Sequence, residues 1–211
     1  MIPMMVCSHI MTWDSGLSDT DDITPADITV DLIDNSIRHL KRGKACGPDD
    51  LGAEHLLNAH PSLVIHLKIL FNMILRHSYV PANFGLGTII PLVKDKSAPL
   101  SDPSNYRAIT LIPVICKVFE SVILSLCDDA LVTDDLQFGF KKGLGCPDAL
   151  FTFRSTVDYF IKNGSNVYTA SLDISKAFDR VSHPKLFASL YEAGIPIYIV
   201  AVLSDWYGKY G

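Results

Sequence analysis

The sequence has no apolar stretch that could cross a membrane. Its longest, residues 195–203, is far shorter than the roughly 20 residues that a spanning helix needs. The N-terminus also lacks the basic lead, the continuous apolar segment and the small-residue cleavage site of a secretory signal peptide. We therefore expect an intracellular protein without a membrane-spanning segment.

Common metal and phosphate signatures are missing as well. The five cysteines form no C-x-x-C pair and have no histidine at zinc-finger spacing, so we expect reduced, mostly buried thiols. The G-x-x-x-x-G-K-[ST] motif of P-loop enzymes is absent. These absences argue against zinc modules and P-loop nucleotide hydrolases.

Basic residues are missing from the first part of the chain. Residues 1–37 contain seven Asp and no Lys or Arg, so the net charge of −5 belongs to the N-terminal end. We interpret residues 1–23 as a flexible acidic leader. The near-neutral remainder neither requires nor excludes a phosphate-bearing ligand. A basic group at residues 38–44 either complements a helix C-terminus or contacts phosphate.

Apolar residues, in contrast, are plentiful, and a hydrophobic fraction of 48% suffices for a packed core. Periodicity and start signals predict helices beginning at residues 24, 61, 113, 147 and 182. β-Rich segments at 88–94 and 105–111 predict a hairpin that brings Lys94, Lys96 and Arg107 together. Pro91 confines the first of these strands to an edge or a bulge. With a further strand predicted at 166–174, the fold class is α/β (α+β).

The segment "SLDISKAFDR", residues 171–180, carries the main candidate for chemistry. Asp173 ends an apolar stretch, where a carboxylate is costly unless a cation compensates it. Lys176 or Arg180 would satisfy it as a structural partner, and so would a divalent ion such as Mg²⁺. A phosphatase-type nucleophile is excluded because Ser175 stands where that class has a second Asp.

Four segments occur in a characteristic order: "GPDDLGAEHL" at 47–56, "IIPLVKDKSAPLSDPSNYRAITLIPVICKVFESVI" at 89–123, "QFGFKKGLGCPDAL" at 137–150, and "SLDISKAFDRVSHPKLFASLYEAG" at 171–194. Together they resemble the N-terminal part of the reverse transcriptase domain of a non-LTR (LINE-like) retrotransposon. The resemblance implies a helical N-terminal segment and fingers at 24–163. It also implies the start of the palm at 164–211, with the first catalytic-aspartate strand and the helices that follow it.

The resemblance also implies roles for individual residues. Asp173 corresponds to a catalytic aspartate that, with the carbonyl of Ile174, ligates Mg²⁺ in a two-ion site. Arg107 and Lys94 correspond to residues that contact the incoming nucleoside triphosphate. Phe178 corresponds to a steric gate beneath the sugar, with ordinary core packing as the alternative.

A second group corresponds to the path of template and primer. Gln137, Lys141 and Lys142 lie in the matching segment, although the two lysines are equally compatible with a solvated surface pair. Asp179 also belongs to the family motif. We expect it to be structural, capping the following turn or pairing with Arg180.

The family's second carboxylate motif, aromatic-x-Asp-Asp, does not occur in the sequence. We therefore expect a truncated reading frame or a fragment of an RNA-directed DNA polymerase that is inactive alone. Its partners would be an RNA template, a DNA primer and deoxynucleoside triphosphates, in a cytoplasmic or nuclear ribonucleoprotein. The alternatives are a non-catalytic remnant that binds RNA or RNA–DNA duplex, and a decayed sequence without activity.

Overall fold

The computed structural model describes residues 25–174 and 177–209. The helices in chain order are α1 (Val30–Arg38), α2 (Ala53–Leu57), α3 (Ser62–His77), α4 (Val114–Leu126), α5 (Cys146–Lys162), α6 (His183–Glu192) and α7 (Ile197–Tyr207). The strands are β1 (Thr88–Val93) and β2 (Tyr106–Leu111), and short 3₁₀ helices occupy Ala82–Gly85, Pro103–Asn105 and Phe178–Arg180. This mixture agrees with the predicted α/β (α+β) class.

Helix α1 begins later than predicted. Its N-cap is Thr29, whose hydroxyl accepts a hydrogen bond from the Leu32 amide at 3.2 Å. The predicted cap, Thr24, lies outside the described residues. The Ile28 amide donates a hydrogen bond to the Asn72 side chain of α3 at 3.0 Å. This tertiary contact satisfies an amide that would donate within the helix if the helix began at residue 24.

The predicted hairpin is confirmed. Strands β1 and β2 pair antiparallel, with Leu92 opposite Arg107 and Pro91 opposite Ala108. Among the described residues the sheet has only these two strands, so each has one edge without a ladder partner. A proline is tolerated at such an edge because it has no amide hydrogen to donate.

The chain divides into two compact units, Met1–Asp128 with Ser182–Gly211 (unit 1) and Asp129–Val181 (unit 2). Unit 1 has an aromatic core contributed by α3, α4 and α7 and by the 3₁₀ helix Ala82–Gly85. Phe119 is fully buried, with its ring centroid 4.9 Å from that of Phe71 and 5.5 Å from that of Trp206. Phe84 completes the cluster, and its carbonyl accepts a hydrogen bond from the Trp206 indole at 3.0 Å.

The end of unit 1 contains one helix that sequence analysis predicted and one that it did not. Helix α6 begins directly after Ser182, with Pro184 in its first turn, as predicted. Helix α7 forms from the apolar run at 195–203, follows Pro196 and packs against α3 and α6. No helix within the described ranges combines the length and apolarity needed to cross a bilayer.

Unit 2 contains helix α5, which was predicted, but the predicted strand at 166–174 was wrong. Residues 165–174 form no strand ladder. A strand is stabilised by hydrogen bonds to a neighbour, and β-favouring side chains such as Val167 and Tyr168 do not replace that neighbour. Among residues 129–174 and 177–181 no residue is buried.

Candidate functional site

The β-ribbon places two of the predicted triphosphate contacts at one of its ends. Side chains alternate along a strand, and residues directly opposite each other share a face. Arg107 lies opposite Leu92, and Lys94 directly follows β1, with its amide donating to the Asn105 carbonyl at 2.7 Å, so the two residues lie at the same end of the ribbon. Arg107 is exposed, and within the described residues its guanidinium forms no hydrogen bond or ion pair.

The loop between the strands holds Lys94 in position. Asn105 is buried, its side-chain amide donates to the Asp95 carbonyl at 2.8 Å, and its side-chain oxygen accepts from the Asp95 amide at 3.0 Å. The Lys94 ammonium donates to the Ser104 carbonyl at 2.7 Å. Hydrogen bonds from the Ser104 hydroxyl and amide lower the pKa of Asp102, and the charge of Lys94 adds a smaller effect. Lys94 is therefore anchored, whereas Arg107 is available.

In unit 2, the two adjacent lysines differ in their contacts. The Lys141 ammonium donates to the Asp134 carbonyl at 3.0 Å and lies 3.9 Å from the Asp135 carboxylate. Lys142 is exposed and has no partner among the described residues. Gln137 donates from its side chain to the Gly139 carbonyl at 3.2 Å. Lys141 and Gln137 thus stabilise the turn, and Lys142 alone presents an unpaired charge.

Phe178 lies on the 3₁₀ turn Phe178–Arg180 and is 79% exposed, so core packing, the alternative role, does not occur. Its ring meets the ring of Phe140 edge to face, with centroids 6.2 Å apart. Phe140 adopts a positive φ of 59°, which is uncommon for a bulky residue. Sequence analysis did not identify this aromatic pair. Asp179 neither caps the turn nor pairs with Arg180 in the part of the chain that the structure describes.

Asp173 is exposed, and its carboxylate has no hydrogen bond or ion pair among residues 25–174 and 177–209. The premise that this side chain is buried in an apolar strand was wrong, since its neighbours Leu172 and Ile174 are 95% and 72% exposed. Arg180 is not its partner, and Lys176 lies outside the described residues. Nothing in the described structure neutralises the Asp173 charge.

The donor set at this position matches a hard divalent cation in type. Mg²⁺ prefers oxygen ligands and commonly combines one or two carboxylates with substrate phosphates and water. Asp173 offers a carboxylate, and Ile174 offers a backbone carbonyl. Across the described ranges no group of three or more His, Cys, Asp or Glu side chains is placed to hold a metal ion. These two residues would therefore supply only part of a complete ligand shell.

Comparison with known families shows which family this chain belongs to. The family described as "Reverse transcriptase (RNA-dependent DNA polymerase)" matches residues 93–210, which is more than half of the chain. The chain belongs to this family. The matched range contains all the site residues predicted above, from Lys94 to Phe178. Reverse transcriptases as a family act on a nucleic-acid template and deoxynucleoside triphosphates with the help of divalent metal ions.

Individual relatives confirm the resemblance to non-LTR retrotransposon polymerases. The RNA-directed DNA polymerase from mobile element jockey of Drosophila funebris is 30% identical over 190 residues, covering 88% of this chain and 21% of that protein. The probable RNA-directed DNA polymerase from transposon X-element of Drosophila melanogaster is 34% identical over 146 residues, covering 66% and 16%. The Pol polyprotein from the R1 element of Bradysia coprophila is 26% identical over 172 residues, covering 80% and 17%. The chain thus spans about a fifth of the length of these relatives.

Proposed function

We propose that this chain contributes the nucleotide-contacting fingers and the first metal-binding carboxylate of an RNA-directed DNA polymerase from a non-LTR retrotransposon. The observation that carries the proposal is the family match over residues 93–210, which includes every predicted site residue. In the reaction, the primer 3′-hydroxyl attacks the α-phosphorus of a deoxynucleoside triphosphate, and pyrophosphate leaves. The template would be RNA and the primer DNA.

Arg107 and Lys94 would bind the triphosphate. A guanidinium offers a planar fork of donors to phosphate oxygens, and an ammonium adds a compact positive charge. The position of both residues at the same end of the ribbon and the unpaired state of Arg107 in the described structure support this role. Both groups would oppose the negative charge that accumulates on the leaving pyrophosphate.

Asp173 and the Ile174 carbonyl would hold Mg²⁺. When bound, paired divalent ions activate an attacking oxygen and neutralise the leaving one. The exposed carboxylate of Asp173, without a competing cation in the described structure, supports this assignment. Mg²⁺ keeps several waters or substrate oxygens in its shell, so two protein ligands are compatible with binding once phosphate is present.

Phe178 would exclude ribonucleotides. A ring beneath the sugar collides with a 2′-hydroxyl and accepts a deoxyribose. Support comes from its 79% exposure and its edge-to-face contact with Phe140, which restrains the ring from one side.

Gln137, Lys141 and Lys142 would lie along the template–primer duplex. The bonds that Lys141 and Gln137 make within the turn suit them to shaping its backbone. Lys142 is suited to a direct phosphate contact, which would position the duplex without reading its sequence.

Primer extension with Mg²⁺ on an RNA template tests the proposal, using the D. funebris jockey polymerase with residues 93–209 of this chain in place of its matching segment. Asp173→Asn should lower extension by more than about a hundredfold while RNA binding persists. Arg107→Gln should raise the KM for deoxynucleotides about tenfold, whereas the exposed control Arg154→Gln should not. Phe178→Val should increase ribonucleotide incorporation. Unchanged extension by Asp173→Asn would overturn the proposal.

The second candidate, RNA or RNA–DNA binding without catalysis, needs only the cationic residues. The exposed side chains of Arg107 and Lys142, unpaired among the described residues, favour it. Binding by the 211-residue chain should weaken steadily as salt rises, with a slope that falls in Lys142→Gln. A hybrid polymerase that binds RNA but never extends a primer would favour this candidate over the first.

A further inference from the structure

Unit 1 contains a cavity of about 250 Å³ that the predicted roles leave unassigned. It lies among the loop after α1, the start of α2 and the junction between β2 and α4. Three lysines, Lys41, Lys44 and Lys117, line it together with apolar side chains that include Leu40 and Ile112. Most of this cavity precedes the region matched by the family, and Lys94, Arg107 and Asp173 take no part in it.

The three lysines bring positive charge to one small volume. None of their ammonium groups has an ion pair or hydrogen bond in the part of the chain that the structure describes. The residues that line the cavity include no Asp or Glu. The Glu54 and Asp49 carboxylates of the same loops accept hydrogen bonds from the Gly43 amide at 2.6 Å and the Leu51 amide at 3.2 Å. The cavity therefore favours an anion, although the chain as a whole is acidic.

Complementing the C-terminus of α1 does not explain this arrangement. Helix α1 ends at Arg38, which pairs with Asp34, and the amide of His39 closes the last turn by donating to Asn35. Neither Lys41 nor Lys44 donates to a carbonyl of α1, and Lys117 belongs to α4, a different helix. A single negatively charged ligand accounts for all three lysines.

The walls of the cavity are fixed by close backbone packing. A Cβ atom at Gly47 would lie 2.6 Å from the carbonyl carbon and oxygen of Ile112, a separation that real contacts do not reach. Glycine thus lets the turn press against the β2–α4 junction, where Pro113 is buried. The cavity exists in the folded chain before any ligand binds, so binding does not include the free-energy cost of forming it.

We propose that this cavity binds one phosphorylated nucleotide unit, as a free nucleoside monophosphate or as the phosphorylated end of a strand. The lysines would surround the phosphate, and the apolar wall formed by Leu40, Leu51 and Ile112 would cover the base. A volume near 250 Å³ is below the roughly 300–1,000 Å³ of drug-sized sites, so it excludes a duplex and has room for no more than one nucleotide.

Isothermal titration calorimetry of the 211-residue chain with AMP tests the proposal. Lys44→Gln and Lys117→Gln should each weaken AMP binding about tenfold, because each removes one charge-assisted hydrogen bond. Lys185→Gln is the matched control, since Lys185 is an exposed, unpaired lysine of α6. Ala45→Tyr should block binding sterically from the exposed rim of the cavity, and thermal unfolding would show that each variant remains folded.

Further titrations separate the two sources of the nucleotide. A 5′-phosphorylated oligonucleotide that binds more tightly than AMP, and loses this advantage as a 5′-hydroxyl, indicates a strand end. If AMP binds at least as tightly as the oligonucleotide, the ligand is a free nucleotide.

Three results would overturn the proposal: no AMP binding, an equal loss of AMP binding in Lys185→Gln, or inorganic phosphate binding as tightly as AMP. These measurements record binding alone, so they are independent of polymerase activity.

Discussion

The two units of this chain differ in how far they bury their apolar side chains. Unit 1 buries its aromatic residues around Phe119, with ring contacts among four side chains. Unit 2 exposes them: Phe151 on α5 is 74% exposed, Phe140 is 94% exposed, and no described residue of the unit is buried. Apolar side chains therefore form a core in one unit and an open surface in the other.

This difference shows which unit is stabilised by its own buried apolar contacts. Unit 1 is stabilised by the burial of apolar side chains, whereas the helix and turns of unit 2 depend mostly on local hydrogen bonds. The proposed metal-binding carboxylate, sugar gate and duplex contacts all belong to unit 2. Functional loops often belong to the less stable parts of a protein, and we expect bound ligands to stabilise this unit.

The largest predicted effect contrasts a phenylalanine from each unit. Phe119→Ala should lower the free energy of unfolding by about 3–5 kcal/mol, because it leaves a cavity in the aromatic core. Phe151→Ala removes the same side chain from an exposed position and should change the free energy by less than about 0.5 kcal/mol. Urea denaturation measures both: tryptophan fluorescence follows unit 1, where Trp206 contacts Phe119, and hydrogen exchange of the α5 amides follows unit 2.

Two outcomes would contradict the conclusion that unit 1 has a stabilising core and unit 2 does not. A large loss of stability in Phe151→Ala would mean that unit 2 has a core of its own in solution. A negligible loss in Phe119→Ala would mean that the aromatic cluster of unit 1 is not the main source of stability.

Local sequence signals predicted most of the elements. Prolines, glycines and helical periodicity located α3, α4, α5 and α6, and β-rich segments located the hairpin, since these features act within a few residues. The predicted strand at 166–174 failed because a strand depends on a partner that local sequence cannot supply. The expected burial of Asp173 failed for the same reason, since burial also depends on what covers the segment.

The candidate site was predicted to a similar degree. Motif order gave Arg107, Lys94 and Asp173 as candidates, and the hairpin pattern predicted that the first two lie near one another. The Phe140–Phe178 contact was not predictable, because it joins distant residues through a turn with an unusual φ at Phe140. The lysine-lined cavity likewise depends on α4 meeting the loop after α1, which no local pattern encodes.

A smaller effect contrasts two thiols. Burial raises the pKa of the Cys116 thiol to about 12, while Cys146 is exposed at the start of α5. Above the ordinary thiol pKa near 9, an unfolded chain releases the Cys116 proton and the folded chain retains it, so stability should fall as pH rises from about 9 to about 12. For one proton the slope is about 1.4 kcal/mol per pH unit.

Comparing variants isolates this thiol from the lysines and tyrosines that titrate in the same range. Cys116→Ala should flatten the decline of stability between pH 9 and pH 10.5, relative to the unsubstituted chain, in urea denaturation series. Cys146→Ala should leave the decline unchanged. Equal slopes for all three proteins would show that Cys116 is not protected from solvent.

The smallest effect concerns one exposed ion pair in each unit. In unit 1 the Lys68 ammonium lies 2.8 Å from the Asp27 carboxylate, and its hydrogen bond lowers the pKa of Asp27. This contribution is present above the ordinary pKa of an aspartate and is lost as pH falls through the lowered value. Lys68→Met should therefore cause a slight loss of stability that disappears in acid and in high salt. Lys141→Met in unit 2 removes a bond to the uncharged Asp134 carbonyl, so any slight loss there should persist in acid. A loss as large as that of Phe119→Ala would mean that surface charge, and not the buried aromatic cluster, distinguishes the two units.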